Sequence, residues 1–222
     1  MKRIVEIRAA EGGEDSKLFT TDLAQAYKKH FTRVGWINHI VKDQPGEIYI
    51  EVTGADLTAL DNEAGGHRIQ RVPPTERKGR VHTSTVTVAI INPVVQEKQY
   101  IDTDFKIEWY SGTGAGGQHR NKHQNSCRIT HIQSGIVATA QCRSRLNSLE
   151  QAKTALLTQL KSGDKSEQHI ALASDRKQQV GSGMRGDKVR TYRFQDDIVT
   201  DHSTGIKVSV KKVLAGNFDL LW

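Results

Sequence analysis

The residues best suited to chemistry stand together in one segment, SGTGAGGQHRNKHQNS, where glycines precede basic and amide side chains. Gly112, Gly114 and Gly117 satisfy G-x-G-x-x-G after a candidate strand, a spacing that can cradle the phosphates of a dinucleotide. That fingerprint also needs a carboxylate about 20 positions further on. Because no Asp or Glu occurs between Glu108 and Glu150, the dinucleotide interpretation is disfavoured.

Zinc is the second chemistry that this part of the chain could support, because four permitted ligand types lie close together. They are His119, His123, Cys127 and Cys142. Closed zinc sites pair their ligands at gaps of about two to four residues on both sides, whereas the two cysteines stand alone. We interpret the cysteines as a packed pair on a hairpin, facing each other if its turn has two residues. We therefore predict neither a metal nor a cofactor.

The stretch between Glu108 and Glu150 is 41 residues long and holds no carboxylate. Its formal charges are all positive: Arg120, Lys122, Arg128, Arg143 and Arg145. Since protein surfaces normally mix both signs, this exclusion fits a lobe that enters a cavity walled by phosphates. It also removes any local Ser-His-Asp arrangement. What remains is glycine-rich backbone with exposed N–H groups and the neutral amide of Gln118, groups that suit a developing oxyanion.

The part of the chain before this lobe predicts an α+β unit. A strand at Lys2–Ala9 alternates in polarity, and an amphipathic helix then ends at Gly35. The apolar stripe of that helix consists of Phe19, Leu23, Tyr27 and Phe31. Further strands are predicted at Trp36–Lys42, Glu47–Thr53 and Val81–Ile91. A long polar insertion, from about Gly65 to Arg80, precedes the last of these strands.

A second α+β unit carries the acid-free segment. Its predicted elements are a strand at Asp104–Tyr110, a hairpin of Cys127–Ile132 with Ile136–Cys142, a helix capped at Asn147 or Ser148, and a polar helix at Ser166–Val180. Three glycines in GSGMRGD predict a hinge over residues 181–187, because so many glycines cannot hold a helix. The tail from Tyr192 to Trp222 is interpreted as two strands and a short terminal segment.

Length and charge limit the class of protein. At about 100–200 residues per domain, 222 residues indicate one or two domains. The net charge of +7 suits a polyanionic partner. The longest apolar stretch is too short for a bilayer, the N-terminus has no secretory h-region, and two cysteines cannot form a disulfide framework. We therefore exclude secreted, membrane-embedded and fibrous classes and expect a cytoplasmic protein.

Four ordered blocks resemble the bacterial-type class I peptide chain release factors. They are EIRAAEGGED, GGHRIQRVPPTERKGRVHTS, Gly116-Gly117-Gln118 within SGTGAGGQHRNK, and GSGMRGDKVRTYRF followed by TDH. The resemblance covers essentially the whole chain and points to the release factor 1-like type, which reads UAA and UAG. Because the first residues already match the codon-reading domain, we expect a short form that lacks the N-terminal helical domain of the family.

The resemblance implies an α+β fold of separate parts. It implies an α/β sandwich-like codon-recognition domain at 1–101 and a small α+β domain for peptidyl-tRNA hydrolysis at 102–180. A switch loop and C-terminal segment at 181–222 are expected to pack back on the first domain. The implied partners are the ribosome, at its decoding and peptidyl transferase centres, the mRNA stop codon and peptidyl-tRNA. We expect a monomer that promotes hydrolysis only within the ribosome and is not a stand-alone enzyme.

In this family the GGQ loop promotes hydrolysis of the ester that joins the nascent peptide to tRNA. The resemblance assigns that role to Gly116, Gly117 and Gln118, with the backbone N–H of Gln118 stabilising the transition state or the leaving oxygen. Members of the family often carry a methylated glutamine here. Gln118 is therefore a candidate for modification by a glutamine methyltransferase.

Stop-codon binding is implied for a second set of residues. Pro73 and Thr75 stand in the Pro-x-Thr tripeptide, and the hydroxyl of Thr75 can accept a hydrogen bond from the exocyclic amine of adenine. By resemblance, the first base is read at Gly12 and Asp15, the second base is stacked by His82, and the third base is contacted by Gln70 and Thr83.

Two other functions compete with codon-specific termination. A ribosome-rescue hydrolase would use the same loop without reading a codon, and often lacks the Pro-x-Thr block or carries a basic tail. This chain has the block, and its last residues, GNFDLLW, are apolar. An RNA-binding module without chemistry would leave Gln118 among its glycines unexplained. We therefore favour termination.

Overall fold

The computed structural model describes residues 1–93, 98–114, 117–181, 183–184 and 186–222. The backbone divides into two compact units, the first formed by Met1–Val94 with Leu172–Trp222 and the second by Val95–Ala171. Each unit combines helix and sheet, which confirms the expected α+β class. The functional boundaries at 1–101, 102–180 and 181–222 stay predictions.

The elements follow one another in this order. The chain begins with β1 (Lys2–Ala9), α1 (Glu14–Arg33), β2 (Ile37–Gln44), β3 (Glu47–Thr53), β4 (Gly65–Arg71) and β5 (His82–Ile91). It continues with β6 (Phe105–Tyr110), α2 (Gln118–Lys122), β7 (Ser126–His131), β8 (Val137–Gln141) and α3 (Arg145–Val180). The last elements are β9 (Arg190–Arg193), β10 (Ile198–Asp201), β11 (Lys207–Val208) and α4 (Val210–Leu214). No helix in the described ranges combines the length and apolarity that crossing a bilayer requires.

The first unit is one sheet with α1 packed against it. Its strand order is β11-β10-β9-β4-β5-β1-β3-β2, so the C-terminal segment joins the sheet of the N-terminal part. All pairs are antiparallel except β4 with β9, which are parallel. The predicted helical stripe is fully buried in the core: Phe19, Leu23, Tyr27 and Phe31. The helix prediction is confirmed, and the ends of most predicted strands differ by no more than two residues.

The predicted polar insertion at 65–80 was wrong in its first half, because Gly65–Arg71 forms the central strand β4. His67 and Arg71 of this strand are buried with hydrogen-bond partners, and its glycines allow close approach of the neighbouring chain. A Cβ at Gly66 would lie 2.1 Å from the carbonyl oxygen of Asp187. Only glycine fits there. The Gly65-Gly66 pair, which makes this segment resemble a loop in the sequence, therefore allows the strand to enter the sheet.

A buried ionic network joins the C-terminal strands to the centre of this unit. Arg190 is fully buried and donates through Nε to Asp201 at 2.9 Å and through NH1 to Glu63 at 2.5 Å. Glu63 also accepts from the hydroxyl of Tyr27 at 2.7 Å. His67 lies beside them, and burial lowers its pKa to about 4, so that the ring is neutral.

The second unit is a three-stranded antiparallel sheet, β6-β7-β8, covered by α3. Two predictions were wrong here. The hairpin turn is longer than two residues, so Cys127 lies opposite Ala140 and not opposite Cys142. The helix begins at Arg145 instead of after a cap at 147 or 148, and Ser148 is buried in its first turn.

The two helices predicted after the hairpin are one continuous helix of 36 residues. A single internal glycine, Gly163, costs a helix only about 1 kcal/mol. The adjacent Asp164 accepts from Lys98 Nζ at 2.8 Å and from the hydroxyl of Tyr100, which holds the helix through this point. The continuity therefore depends on tertiary contacts that no local pattern contains.

The end of α3 belongs to the first unit and is bound to its sheet. Arg176 donates two hydrogen bonds, of 2.7 and 2.6 Å, to the carboxylate of Glu6. The side-chain amide of Gln179 both donates to and accepts from the backbone of Ile90, at 2.8 and 2.7 Å. The helix ends at Val180, where the glycine-rich hinge was predicted. Ser182 and Arg185 of that hinge lie outside the described residues.

The tail differs from its prediction as well. Besides β9 and β10 it contains the two-residue strand β11, the short helix α4 and a final turn at Phe218–Leu220. Phe218 stacks on Tyr27 with 4.5 Å between ring centroids. The apolar tail is therefore part of the core of the first unit.

Candidate functional site

The loop of residues 72–81 joins β4 to β5, and the register of these strands brings its flanking residues together. Gln70 lies opposite Thr83, and Arg71 lies opposite His82. The loop begins with a turn in which the backbone N–H of Glu76 donates to the carbonyl oxygen of Pro73 at 3.0 Å.

Pro73 is buried, whereas Thr75, which carries the hydroxyl of the tripeptide, is exposed. Thr75 occupies the third position of the turn and points its small polar side chain to solvent. Gln70, His82 and Thr83 are half-buried. The predicted second- and third-base residues therefore lie together where β4 ends and β5 begins. We call this accessible end of the two strands, with the 72–81 loop, the edge of the first unit.

Glu76 is a residue of this loop that sequence reasoning missed. Its carboxylate accepts from the backbone N–H of Lys78 at 2.7 Å, from Arg80 Nε at 3.1 Å and from His82 Nε2 at 2.7 Å. These hydrogen bonds, that from Lys78 first, lower the pKa of Glu76 to about 2. The available signal was one acidic residue in an otherwise basic loop, VPPTERKGRV.

Gly12 sits at the entrance to α1 in a conformation that only glycine adopts easily. Its φ is +123°, and a Cβ there would lie 2.4 Å from the Cβ of Ser84 on β5. The neighbouring backbone is paired to β5, because Ala10 N–H donates to Thr85 O at 2.9 Å. The start of the helix is thereby pressed against the strand that begins with His82.

Asp15 was expected to contact the first base, but its carboxylate points into the protein. The residue is 3% exposed. One oxygen accepts from Arg71 Nε at 2.7 Å, and the other accepts from the hydroxyl of Ser84 at 2.8 Å. The side chain thus connects α1 to β4 and β5, and a base in solvent cannot reach its oxygens in this arrangement.

Arg71 is the centre of this connection. Its guanidinium also donates to Asp22 at 2.9 Å and lies between two aromatic rings, 5.6 Å from the centroid of Phe19 and 5.3 Å from that of Phe194. Such a buried, stacked arginine is rigid. It anchors the first end of the 72–81 loop, next to His82.

The second set of predicted residues lies in the other unit. Gly117 and Gln118 are exposed, Gln118 is the first residue of α2, and Gly116 lies outside the described residues. We call the exposed segment at Gly117 and Gln118 the tip. A cleft of about 520 Å³ adjoins it, and the lining of this cleft includes Gly117, His123, Asn125, Gln141 and Arg143. None of the described residues that line it is a carboxylate.

Two arginines of the acid-free stretch, Arg128 and Arg145, lie against aromatic rings. The guanidinium of Arg145 lies 4.0 Å from the centroid of Trp109, and that of Arg128 lies 5.9 Å from that of Tyr110. A cation over an aromatic face keeps its full charge. The acid-free stretch therefore presents exposed positive charge, which suits phosphates.

The two cysteines that were considered as zinc ligands are held by contacts within the second unit. Cys127 is buried in the core of the second unit, and burial raises the pKa of its thiol. Cys142 contacts Gln151 Oε1 through its sulfur at 3.0 Å. Across the part of the chain that the structure describes, no three His, Cys, Asp or Glu residues are grouped so as to hold a metal ion.

Comparisons with known proteins show the family to which the chain is related. A family model of the PCRF domain matches residues 1–88, and one of the RF-1 domain matches residues 96–203. The two domains on one chain define a peptide chain release factor of class I.

Peptide chain release factor 1 of Carboxydothermus hydrogenoformans is 40% identical to the chain over 226 residues, and that of Acetivibrio thermocellus is 41% identical over 231 residues. RF2 of Thermus thermophilus has 28% identity and a TM-score of 0.57, covering 99% of this chain and 66% of that one. The chain belongs to the bacterial class I release factor family. The two alignments with release factor 1 cover 97% of this chain but 63% of each relative, so the chain spans less than two thirds of their length.

Proposed function

We propose that the chain is a translation termination factor that recognises UAA and UAG in the ribosomal A site and promotes hydrolysis of peptidyl-tRNA. One observation carries the proposal: the Pro73–Thr75 turn and the Gln118 tip occupy separate compact units of a single chain. Reading and hydrolysis are chemically different tasks, and each unit has the groups for one of them.

Codon reading uses the exposed edge of the first unit. The Thr75 hydroxyl accepts from the exocyclic amine of adenine at the second position, where guanine presents a carbonyl. His82 stacks on this base, and Gln70 with Thr83 contacts the third. The first uracil meets the backbone at Gly12, while Asp15 positions that backbone from beneath without touching the base.

Hydrolysis uses the acid-free tip of the second unit. The backbone N–H of Gln118 stabilises charge on the reacting or leaving oxygen, and Gly116 with Gly117 lets the backbone approach RNA closely. No carboxylate occurs between Glu108 and Glu150 to act as a general base, and in this proposal the ribosome and the tRNA orient the water. The exposed side chain of Gln118 is accessible to a glutamine methyltransferase.

The remaining roles follow from this division. Residues 1–101 and 102–180 serve recognition and hydrolysis, and 181–222 contains the switch loop and the strands that complete the first sheet. The partners are the ribosome, the mRNA stop codon and peptidyl-tRNA, encountered in the cytoplasm by a monomeric factor.

Peptide release from ribosomes programmed with UAA, UAG, UGA or a sense codon tests the proposal. Release on UAA and UAG alone is expected. Equal release on every codon would mean a rescue hydrolase, and binding without release on any codon would mean an RNA-binding module. Release by the isolated chain from free peptidyl-tRNA would contradict the dependence on the ribosome.

A further inference from the structure

Glu76 is the single acidic residue of the 72–81 loop, and its side chain is enclosed. Its side chain is 5% exposed, although Thr75 and Arg77 on either side of it are exposed. Both carboxylate oxygens are engaged, Oε1 by the N–H of Lys78 and Oε2 by Arg80 and His82. A carboxylate that gathers three donors at the base of a loop organises that loop.

The contact with His82 determines more than the position of the ring. An ionised carboxylate can only accept hydrogen bonds, so the proton of the imidazole must be on Nε2, which lies 2.7 Å from Glu76 Oε2. The neutral ring then has its lone pair on Nδ1. The tautomer and the orientation of His82 are therefore both set by this one partner.

The backbone of the same residue supports the other reading group. Glu76 N–H closes the turn with Pro73 O at 3.0 Å, and Thr75 is the residue just before that N–H. One residue thus holds both groups to which the second base is assigned: Thr75 through the backbone and His82 through the side chain.

We propose that Glu76 is the positioning residue for reading of the second base. It keeps the His82 ring in its Nε2–H form at a fixed distance from the Thr75 hydroxyl, without touching the RNA itself. The inference rests on the proposed function for its consequence on the ribosome, whereas its structural half concerns the free protein alone.

Glu76→Gln is the sharpest variant, because the amide keeps the shape of the side chain. Its oxygen can still accept from Lys78, but its NH₂ group then faces the Nε2–H of His82, donor against donor. The ring must change tautomer or leave. Glu51→Gln is the matched control, since Glu51 Oε1 lies 3.1 Å from His39 Nε2 on the distant strands β2 and β3.

Long-range ¹H–¹⁵N spectra of the free protein at pH 7.5 report the tautomer directly. We expect the Nε2–H form of His82 in the unmodified chain and its loss in Glu76→Gln, with His82 unchanged in Glu51→Gln. An unchanged His82 tautomer in Glu76→Gln would overturn the positioning role, whatever the ribosome assay shows.

Release kinetics test the consequence. For Glu76→Gln on UAA we expect kcat/KM to fall about tenfold, the size of one lost charged hydrogen bond, while kcat at saturation stays within about twofold. In a His82→Ala background, Glu76→Gln should lower kcat/KM by no more than about twofold. A tenfold loss in that background would overturn the inference. If the unmodified chain releases on no stop codon, the proposed function fails, but the tautomer result still decides the structural half.

Discussion

The edge that carries the 72–81 loop and the tip that carries Gln118 differ in how their polar groups are held. At the edge, Asp15 and Arg71 are buried and paired at 2.7 Å. In the acid-free stretch that carries the tip, Arg145 is exposed and its guanidinium lies 4.0 Å from the centroid of the Trp109 ring. The first arrangement fixes donors and acceptors in place, whereas the second leaves charge available to a partner.

This difference matches the demands of the two tasks. Discrimination between bases depends on hydrogen-bond groups that cannot shift to suit the wrong partner, because a relaxed site would satisfy both. A tip that enters a chamber of RNA gains nothing from rigid internal pairs, and each carboxylate there would be repelled. Under the proposed function, the buried pair of Asp15 and Arg71 lies where selectivity is needed, and the acid-free stretch is the part that RNA would surround.

The largest effect is expected for Gln118→Pro, which removes the backbone N–H assigned to the transition state together with the side-chain amide. Proline is tolerated at the first position of a helix, and Gln118 is the first residue of α2. Release should fall by roughly 10²–10³-fold, as for the loss of one oxyanion donor. Single-turnover release at saturating factor measures this.

Gln118→Ala is the control, because alanine keeps the N–H and changes only the side chain. Its release should stay within about tenfold of the unmodified chain. Ribosome binding should be retained by both variants. If Gln118→Pro and Gln118→Ala reduce release equally, the group that acts in hydrolysis is the side-chain amide and not the backbone N–H. The chemical role that the comparison gives to the tip would then be wrong.

At the edge, Asp15→Ala should cost stability, because it leaves Arg71 buried with only its second partner. Breaking a buried ion pair costs about 3–5 kcal/mol, and the remaining bond to Asp22 points to the lower end. Asp22→Ala removes the half-exposed partner of the same guanidinium and should cost at most about 1 kcal/mol. Urea unfolding compares them; equal losses would mean that Asp15 is not a structural anchor.

The sequence predicted the helix stripe, because the periodicity of a helix is encoded within a few residues. It did not predict that Asp15 faces inward. That orientation depends on Arg71 and Ser84, which lie 56 and 69 positions away. The same is true of Glu76, whose importance comes from the donors that the loop folds around it. Pairings across the fold decide which polar residues are free to act.

Strand β4 shows the same limit from the opposite side. Glycine and charged residues locally indicate a loop, yet the parallel pairing with β9 places His67 at the centre of the sheet. Nothing near that segment in the sequence announces β9. Conversely, the acid-free stretch of the second unit could be recognised from the sequence alone. The lack of carboxylates over 41 residues is visible without knowledge of any tertiary contact.

The third prediction concerns acid, to which the buried groups of the first unit are sensitive. Burial lowers the pKa of His67 to about 4, from 6.5 when the chain is unfolded, and lowers that of His30 as well. Between pH 6.5 and 4 the unfolded chain binds more protons at this position than the folded chain, so the free energy of unfolding falls as the pH decreases, by up to about 1.4 kcal/mol per pH unit for His67.

Urea unfolding of the first unit, followed by tryptophan fluorescence of Trp36 and Trp222 between pH 4 and 7, measures this slope. His67→Gln should be less stable at pH 7 and show a shallower dependence, because one proton-linked group is gone. A slope identical to that of the unmodified chain would mean that His67 does not carry the effect.

The smallest effect is expected at the tip, where single exposed charges act weakly and together. Arg143→Gln should lower the association rate with ribosomes about two- to threefold, and Arg143→Glu about tenfold, because reversal adds repulsion to the lost attraction. Both losses should shrink when the salt concentration is raised, since exposed charges are screened. Arg77→Glu, an exposed change in the 72–81 loop, is the matched reversal in the other region. If stopped-flow association shows a salt-independent loss for Arg143→Glu, the arginine makes a specific contact, and the positive field around Gln118 is not what brings the tip to RNA.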